Sequence, residues 1–218
     1  MLDKRTERHL VKIVRDSFIN QDEKSGGMGY RYYHSMRVYN YCKQFLRLNS
    51  VKKLGVDSDV VLITGMFHDI GRAKDKRKTT TSIMEGHDEI GAKIVKTLLK
   101  KHVDKETIDK VSEILDNYKN DNYFSWEKEL VSYADELDHI GALDIWRMFV
   151  FEGYHKGSLD DKIAYWKKFE SKRFDRKWIN KFKLKDIRRV ANRRATVLRR
   201  FMDEIESENK ARDIVESQ

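Results

Sequence analysis

The sequence predicts an all-α protein built as a compact helical bundle, and three observations support this. The 218 residues include no proline, the residue that most strongly interrupts helices. Charged residues make up 37% of the chain and hydrophobic residues 39%, a composition that favours a charged helical protein over a loop-rich or all-β one. Apolar side chains recur every three to four positions along most of the chain, which is the period of a helix with one buried face.

The apolar period and the breaks in it define the elements in order. The stretch KSGGMG ends the first helix, Gly55 ends the second, and Asp57 with Ser58 supplies an N-cap for the third. We expect the third helix to end at Gly71 and residues 72–82, RAKDKRKTTTS, to form an exposed loop because they lack an apolar period. The predicted helices cover residues 2–20, 30–48, 58–71, about 85 to 99, 107–118 and about 126 to 151, with two or more amphipathic helices in 160–208.

The segment from about Trp126 to Phe151 is predicted to be the longest helix. Its apolar residues crowd all sides of a helical projection, as expected for a helix at the centre of a bundle. At 218 residues, one compact domain is the usual arrangement. We therefore expect residues 1–218 to form one domain in which C-terminal helices cover the bundle.

The formal net charge of +9 is concentrated toward the C-terminus. Residues 162–200 hold 16 lysines and arginines but only three acidic residues. Such a block favours the solvated face of a covering helix, and the alternative is a surface that attracts phosphates or nucleic acid.

Neither a membrane segment nor a thiol site is apparent in the sequence. No apolar stretch approaches the roughly 18 to 20 residues that cross a bilayer, and the first residues, MLDKRTERHL, lack the apolar run of a signal peptide. We expect a cytoplasmic protein without a membrane partner. Cys42 is the only cysteine, which excludes an intrachain disulfide and a cysteine-based metal cage. Histidines and carboxylates would have to hold any bound metal.

Histidines and aspartates recur where separate predicted helices could bring them together. His34 lies in the second helix, and His68 and Asp69 close the third. Adjacent helical residues point about 100° apart, so such a pair can reach one ion only near a helix end. His87 opens the fourth helix, and Asp135 lies among apolar neighbours, where an unpaired carboxylate would be costly. Imidazole and carboxylate without thiolate suit Mn, Fe, Co, Ni, Zn or Mg.

Three segments, YYHSMRV, GMFHDIGR and YADELDHIGA, occur in this order and resemble the ligand motifs of the HD-domain metal-dependent phosphohydrolases. The resemblance covers about residues 30 to 155, leaves a basic helical tail at 156–218, and implies an all-α HD-domain bundle. The segments ADELDHIGALDIWRMFVFEG and ANRRATVLRRFMDEI are similar to a bacterial subgroup of single-domain HD hydrolases, some of which are nucleotide pyrophosphatases. The metal ligands that the resemblance implies are His34, His68, Asp69 and Asp135.

The chain departs from related enzymes at two points. Members that bind two metals add further histidines, and this chain has His87 but offers Leu115, Asp116 and Asn117 near where another would be expected. We therefore expect one divalent metal ion. HD nucleotidases that remove a terminal phosphate place a glutamate three residues after the motif aspartate, where this chain has Arg72. This difference disfavours a monophosphatase.

Two arginines near the motifs are candidates for binding a substrate phosphate. Arg37 lies one turn from His34, and Arg72 follows the His-Asp pair. A guanidinium matches the geometry of phosphate oxygens. The alternative for both is an ion pair with a nearby acid, for which the candidates are Glu85, Asp88 and Asp138.

The same three acids are the candidates for a general acid or base. The sequence does not choose among Glu85, Asp88 and Asp138. His87 is a further candidate for contact with the attacking water or a substrate phosphate, and the alternative for it is a structural role.

The leading hypothesis is a divalent-metal-dependent phosphohydrolase acting on a small phosphorylated substrate, such as a nucleotide phosphoester or phosphoanhydride. One alternative is a nucleic-acid-binding module that uses the basic tail and retains a vestigial metal site. Another is oxygenase chemistry with two bound irons, which counting the metals would separate. The sequence leaves the oligomeric state open.

Overall fold

The computed structural model describes residues 2–23, 26–74, 86–173 and 176–214, and it confirms the all-α prediction. These residues form two compact units: residues 2–23 and 27–136 form the first, and the described residues from Leu137 onward form most of the second. The boundary falls inside the motif core predicted for residues 30–155. One domain over residues 1–218 therefore stays a prediction.

Helices dominate the first unit. A two-stranded antiparallel hairpin separates the first two helices, and a 3-10 helix, Ile70–Lys74, follows the fourth. The strands of the hairpin are β1 (Asp22–Glu23) and β2 (Gly27–Met28). The helices are α1 (Lys4–Phe18), α2 (Tyr30–Phe45), α3 (Asn49–Lys52), α4 (Ser58–Phe67), α5 (His87–Leu99), α6 (Lys105–Asp116) and α7 (Trp126–Asp138), whose last two residues belong to the second unit.

Helix α4 lies in the core of the first unit. Its N-cap is Asp57, as predicted, whose carboxylate accepts hydrogen bonds from two backbone N–H groups of the first turn. From Val60 to its end at Phe67 every residue is buried. A Cβ atom on Gly65 would lie 3.0 Å from the Sγ atom of Cys42 in α2. This close packing sets the helix that carries His34 beside the helix that His68 follows.

The predicted loop at 72–82 is only partly described. Its first residues belong to the 3-10 helix Ile70–Lys74, and residues 75–82 lie outside the described ranges. Gly71 does not end α4, which stops earlier, but it has a clear packing role. A Cβ atom on Gly71 would lie 1.9 Å from the backbone oxygen of His87. Only glycine therefore allows the start of α5 to approach the His-Asp pair this closely.

The prediction of one helix over residues 126–151 is wrong. Helix α7 ends at Asp138, and α8 begins at Ala142. Between them Gly141 has φ 95° and ψ −153°, a conformation open to glycine because it lacks a Cβ atom. Apolar residues continue through the break, so the hydrophobic pattern does not reveal it. The longest helix of the described residues is instead Lys185–Asn209.

The second unit consists of the basic C-terminal helices. A π-helical turn, Trp166–Glu170, joins the second and third of them. The last helix packs against the first and fourth helices of this unit and buries an apolar stripe from Ile187 to Met202, which confirms the predicted amphipathic pattern. The helices are α8 (Ala142–His155), α9 (Leu159–Tyr165), α10 (Ser171–Arg173), α11 (Arg176–Asn180) and α12 (Lys185–Asn209).

None of the helices in the described parts of the chain is both long and apolar enough to cross a membrane.

Candidate metal centre

Side chains from three separate parts of the first unit converge at one point. His34 lies within α2, His68 directly follows α4, and Asp135 lies in the last turn of α7. The Nε2 atoms of the two histidines are 3.0 Å apart, and Asp135 Oδ1 lies 3.3 Å from that of His34 and 3.8 Å from that of His68. We call these three residues the metal cluster, because one ligand atom from each lies within 4.8 Å of the others.

The donor set of the metal cluster fits a divalent ion. Two donor atoms held at right angles about 2.1 Å from one ion lie about 3.0 Å apart, close to the observed separation of the two imidazole nitrogens. Nδ1 of His68 lies 3.1 Å from the Gly65 carbonyl oxygen, which only accepts, so the ring proton belongs on Nδ1. Burial lowers the pKa of His68 and favours the neutral ring. Its Nε2 lone pair therefore faces His34 and Asp135, as metal ligation requires.

Asp69 lies beside the metal cluster but is engaged by two arginines. Its Oδ2 atom is 2.5 Å from Arg31 Nη1, and its Oδ1 atom is 2.7 Å from Arg72 Nε. Burial alone would raise the pKa of Asp69, yet neighbouring positive charges, Arg31 first among them, hold that pKa well below its usual value. The carboxylate is therefore ionised, and its Oδ2 atom lies 3.9 Å from His34 Nε2.

An aromatic residue lies against two members of the metal cluster. The ring of Tyr118, in the turn after α6, has its centroid 6.1 Å from that of His68. Its hydroxyl donates to Asp135 Oδ2 at 3.4 Å, a long hydrogen bond. Burial and the nearby Asp135 charge raise the pKa of Tyr118 well above its usual value, so the phenol keeps its proton and remains a donor.

A second group of charged residues lies at the start of α5. His87 Nε2 is 2.9 Å from Asp88 Oδ1, and Lys119 Nζ is 3.4 Å from Asp88 Oδ2 and 3.4 Å from His87 Nδ1. Burial would raise the pKa of Asp88, but the hydrogen bond from His87 and the charge of Lys119 lower it. We call His87, Asp88 and Lys119 the lysine cluster.

A buried lysine fixes the turn that carries Tyr118 and Lys119. Lys128, in α7, donates from Nζ to the backbone oxygen of Asn120 at 2.6 Å and to that of Tyr123 at 2.9 Å. Only 5% of Lys128 is exposed, and these two carbonyls supply the partners that a buried ammonium needs. The α6–α7 turn is thereby tied to the helix that carries Asp135.

Comparison with known proteins identifies the family. Residues 31–140, half of the chain, match the HD domain. The chain belongs to the HD-domain family. Members of this family are metal-dependent phosphohydrolases, and the HD chain is therefore an enzyme of this class. No curated protein matches the chain.

Solved structures share the HD fold. Bacillus subtilis YpgQ is 20% identical, with 94% of this chain and 95% of that chain covered and a TM-score of 0.65. YpgQ in complex with ADP gives 22% identity, coverage of 93% and 97%, and a TM-score of 0.63. An HD-superfamily hydrolase from Bacillus thuringiensis gives 21% identity, coverage of 95% and 98%, and a TM-score of 0.67. At these identities the likeness concerns the fold.

The structure brings three of the four predicted metal ligands together and places the fourth beside them. His34, His68 and Asp135 form the metal cluster, whereas Asp69 lies next to it on the two arginines. The clustered atoms come from positions far apart in sequence, which only the packing of the helices can unite. Ligation by all four residues stays a prediction.

The predicted catalytic residues are spread more widely. Arg72 contacts Asp69, and the Arg37 guanidinium lies 5.8 Å from the centre of the Tyr30 ring. Asp138 is fully buried and belongs to the second unit. Glu85 lies outside the described residues. Phosphate or proton-transfer roles for these residues, and for His87 and Asp88, stay predictions.

Sequence reasoning missed four residues of the two clusters and their supports: Arg31, Tyr118, Lys119 and Lys128. Arg31 carried a usable signal, since it lies three residues before His34 and so shares its helix face. The other three had none, because a turn residue gives no periodic pattern and a buried lysine reads as a surface charge.

Proposed function

We propose that this HD enzyme hydrolyses a phosphoester or phosphoanhydride bond of a small phosphorylated compound, with a nucleotide as the substrate class. The observation that carries the proposal is the metal cluster, in which two imidazole nitrogens and a carboxylate oxygen from three helical segments meet within 4.8 Å. The nucleotide class is supported by YpgQ, a protein of similar fold whose structure contains ADP.

In this proposal one divalent ion is held by His34, His68 and Asp135, with Asp69 as a fourth ligand. When bound, such an ion activates a water for attack on phosphorus and neutralises the charge that develops there. Arg31 orients Asp69 from outside the ligand set, as hydrogen-bond partners of ligating carboxylates do. Neutral His68 presents its Nε2 lone pair because the Gly65 carbonyl holds the proton on Nδ1.

We further propose that hydrolysis of an anhydride is favoured over removal of a single terminal phosphate. Arg72 stands where the terminal-phosphate nucleotidases have a glutamate, and its Nε atom contacts Asp69. A panel of nucleoside mono-, di- and triphosphates, cyclic dinucleotides and alarmones, each with Mn, Co, Ni or Mg, tests this point. Separate assays of released phosphate and pyrophosphate identify the bond that is cleaved.

Metal content and hydrolysis in His68→Gln test the proposal directly. A lost ligand removes several kcal/mol of transition-state stabilisation, so we expect the hydrolysis rate to fall by about a thousandfold and the bound metal to fall from one ion per chain toward zero. His102→Gln is the matched control, because the His102 ring stacks on His9 at 4.8 Å instead. A His68→Gln protein that hydrolyses nucleotides without metal would contradict the proposal, and two bound irons would favour oxygenase chemistry.

We do not propose nucleic-acid binding through the basic tail. Arg188 Nε donates to the Phe182 backbone oxygen at 2.8 Å, and Arg189 pairs with Asp186 at 2.9 Å. Arg194 donates to the Leu137 backbone oxygen. These contacts support the alternative in which the charges serve a helix face within the second unit. Strongly salt-dependent binding of DNA or RNA at moderate salt would revive the nucleic-acid function.

A further inference from the structure

Lys119 combines a buried, charged support with an exposed ammonium. Its partners His87 and Asp88 have side chains only 4% and 13% exposed, whereas 63% of the Lys119 side chain is exposed. Nζ lies 3.4 Å from Asp88 Oδ2 and 3.4 and 3.5 Å from the two His87 ring nitrogens. An ammonium has three donors; Asp88 Oδ2 and the His87 ring can accept two, which leaves one donor of this mostly exposed group for a further acceptor.

Lys119 directly follows a residue that contacts the metal cluster. Tyr118, which contacts His68 and Asp135, is the residue immediately before Lys119, and consecutive Cα atoms are about 3.8 Å apart. A second link is the close approach of the His87 backbone oxygen to Gly71, two residues after Asp69. The backbone of His87, one partner of Lys119, thus lies close to the segment that follows the His-Asp pair.

The surroundings of Lys119 differ from those of the other cations near the metal cluster. Arg31 and Arg72 both direct their guanidinium groups at Asp69, and their side chains are 16% and 20% exposed. Lys119 instead stands in the turn fixed by Lys128 and faces solvent. A lysine binds phosphate as a compact point charge with rotatable donors, which suits a phosphate group adjacent to the one that reacts.

We propose that Lys119 binds a second phosphate of the substrate, beside the phosphate attacked at the metal cluster, so that the enzyme prefers substrates with two or more phosphates. This inference rests on the proposed function. His87 and Asp88 act as positioning residues that hold the ammonium at the edge of the site. A substrate with a single phosphate gains nothing from this contact.

The preference for ADP over AMP tests the proposal. Both are titrated into the Mn-loaded protein, and hydrolysis of each is measured where it occurs. A charge-assisted hydrogen bond contributes enough for about a tenfold change or more, so Lys119→Met should lower the ADP-to-AMP ratio of affinities, and of kcat/KM, by about that factor. The loss should appear in KM more than in kcat, and Lys119→Arg should restore most of the ratio.

Lys110→Met is the matched control. Lys110 is a lysine of α6, with a side chain 47% exposed, that pairs with Glu106 at 2.9 Å, and its removal should leave the ratio unchanged. An unchanged ADP-to-AMP ratio in Lys119→Met, whether both affinities fall equally or neither falls, would overturn the proposal. The measured affinities test the role of Lys119 even if the wild-type protein hydrolyses neither ADP nor AMP. Absence of hydrolysis would count against the proposed function and not against phosphate binding by Lys119.

Discussion

The metal cluster and the lysine cluster each contain histidine and aspartate, but they are assembled in different ways. Members of the metal cluster come from α2, from the residue after α4 and from α7. In the lysine cluster, His87 and Asp88 are neighbours in sequence, and only Lys119 comes from elsewhere. One cluster depends on the packing of three helical segments, and the other depends on the position of one turn.

This difference decides what each cluster can do. Two imidazoles and a carboxylate that meet in a largely buried site form a donor set that fits a cation. In the lysine cluster a cation is already present as the Lys119 ammonium, so a negatively charged group is the ligand that it fits. In the two proposals, metal binding and anion binding are thus divided between two groups of side chains.

The largest expected effect comes from Asp69→Ala, which removes the carboxylate that lies beside the metal cluster. Only 10% of the Asp69 side chain is exposed, and both Arg31 and Arg72 contact it. Removing one partner of a buried ion pair costs about 3 to 5 kcal/mol, and we expect the free energy of unfolding in urea to fall by that amount. Bound metal and hydrolysis should be lost as well.

Asp186→Ala is the control for this change. Asp186 pairs with Arg189 three residues later at 2.9 Å, the same spacing as Asp69 and Arg72, but these side chains are 42% and 78% exposed. An exposed pair contributes about 1 kcal/mol or less. Similar losses of unfolding free energy in both variants would show that the buried contacts of Asp69 with Arg31 and Arg72 contribute no more stability than an exposed ion pair.

A smaller effect is expected from Lys128→Met, which releases the turn of the lysine cluster. The variant loses two hydrogen bonds from a buried ammonium to backbone carbonyls. Hydrogen bonds to charged groups contribute about 1.5 to 3 kcal/mol each, but Met also avoids the cost of burying an ammonium, so the free energy of unfolding should fall by about 2 to 3 kcal/mol. Hydrogen exchange at the backbone amides of residues 119–123 should also become faster, while metal binding persists.

Lys110→Met again serves as the control, since its ion pair with Glu106 is exposed and screened by solvent, so its loss should hardly change the free energy of unfolding. If Lys128→Met lost bound metal in addition to showing faster exchange at residues 119–123, the metal cluster would depend on the same turn as the lysine cluster.

Much of the fold could be predicted because helices repeat locally. The cap at Asp57 and the apolar stripes of α1, α2, α5 and α6 appear in the sequence as periods and N-cap residues. The break between α7 and α8 could not be predicted, because the apolar pattern runs through it and only the φ of Gly141 marks it. A backbone conformation of this kind is set by tertiary packing.

The candidate site likewise has residues that the sequence predicts and contacts that it does not. His34, His68 and Asp135 stand within motifs whose order and apolar surroundings indicate a common site. The partners of Asp69 could not be deduced, because a guanidinium beside a motif can bind substrate or an acid, and only the geometry shows both arginines on Asp69. Tyr118 was missed because its contact with Asp135 crosses from a turn to another helix.

The smallest expected effect comes from Tyr118→Phe, which tests whether the phenol supports the metal cluster. The variant keeps the ring against His68 and removes the hydroxyl, which donates to Asp135 at 3.4 Å and also has a hydrogen bond with Ser132. Because this bond is long, the free energy of unfolding should change by about 1 kcal/mol or less. Partners that orient a ligating carboxylate alter metal affinity by about tenfold or more, and we expect the lower end of that range in a chelator competition assay.

Tyr133→Phe provides the comparison for Tyr118→Phe, since Tyr133 donates to Glu129 Oε2 at 2.9 Å within α7 and takes no part in either cluster. It removes a shorter hydrogen bond of the same chemical type. If both variants bind metal as the wild type does, Tyr118 contributes only its ring, and Asp135 is oriented by helix packing alone. A loss of metal affinity confined to Tyr118→Phe would instead make the turn after α6 a support for both clusters, through Tyr118 for the metal and through Lys119 for the anion.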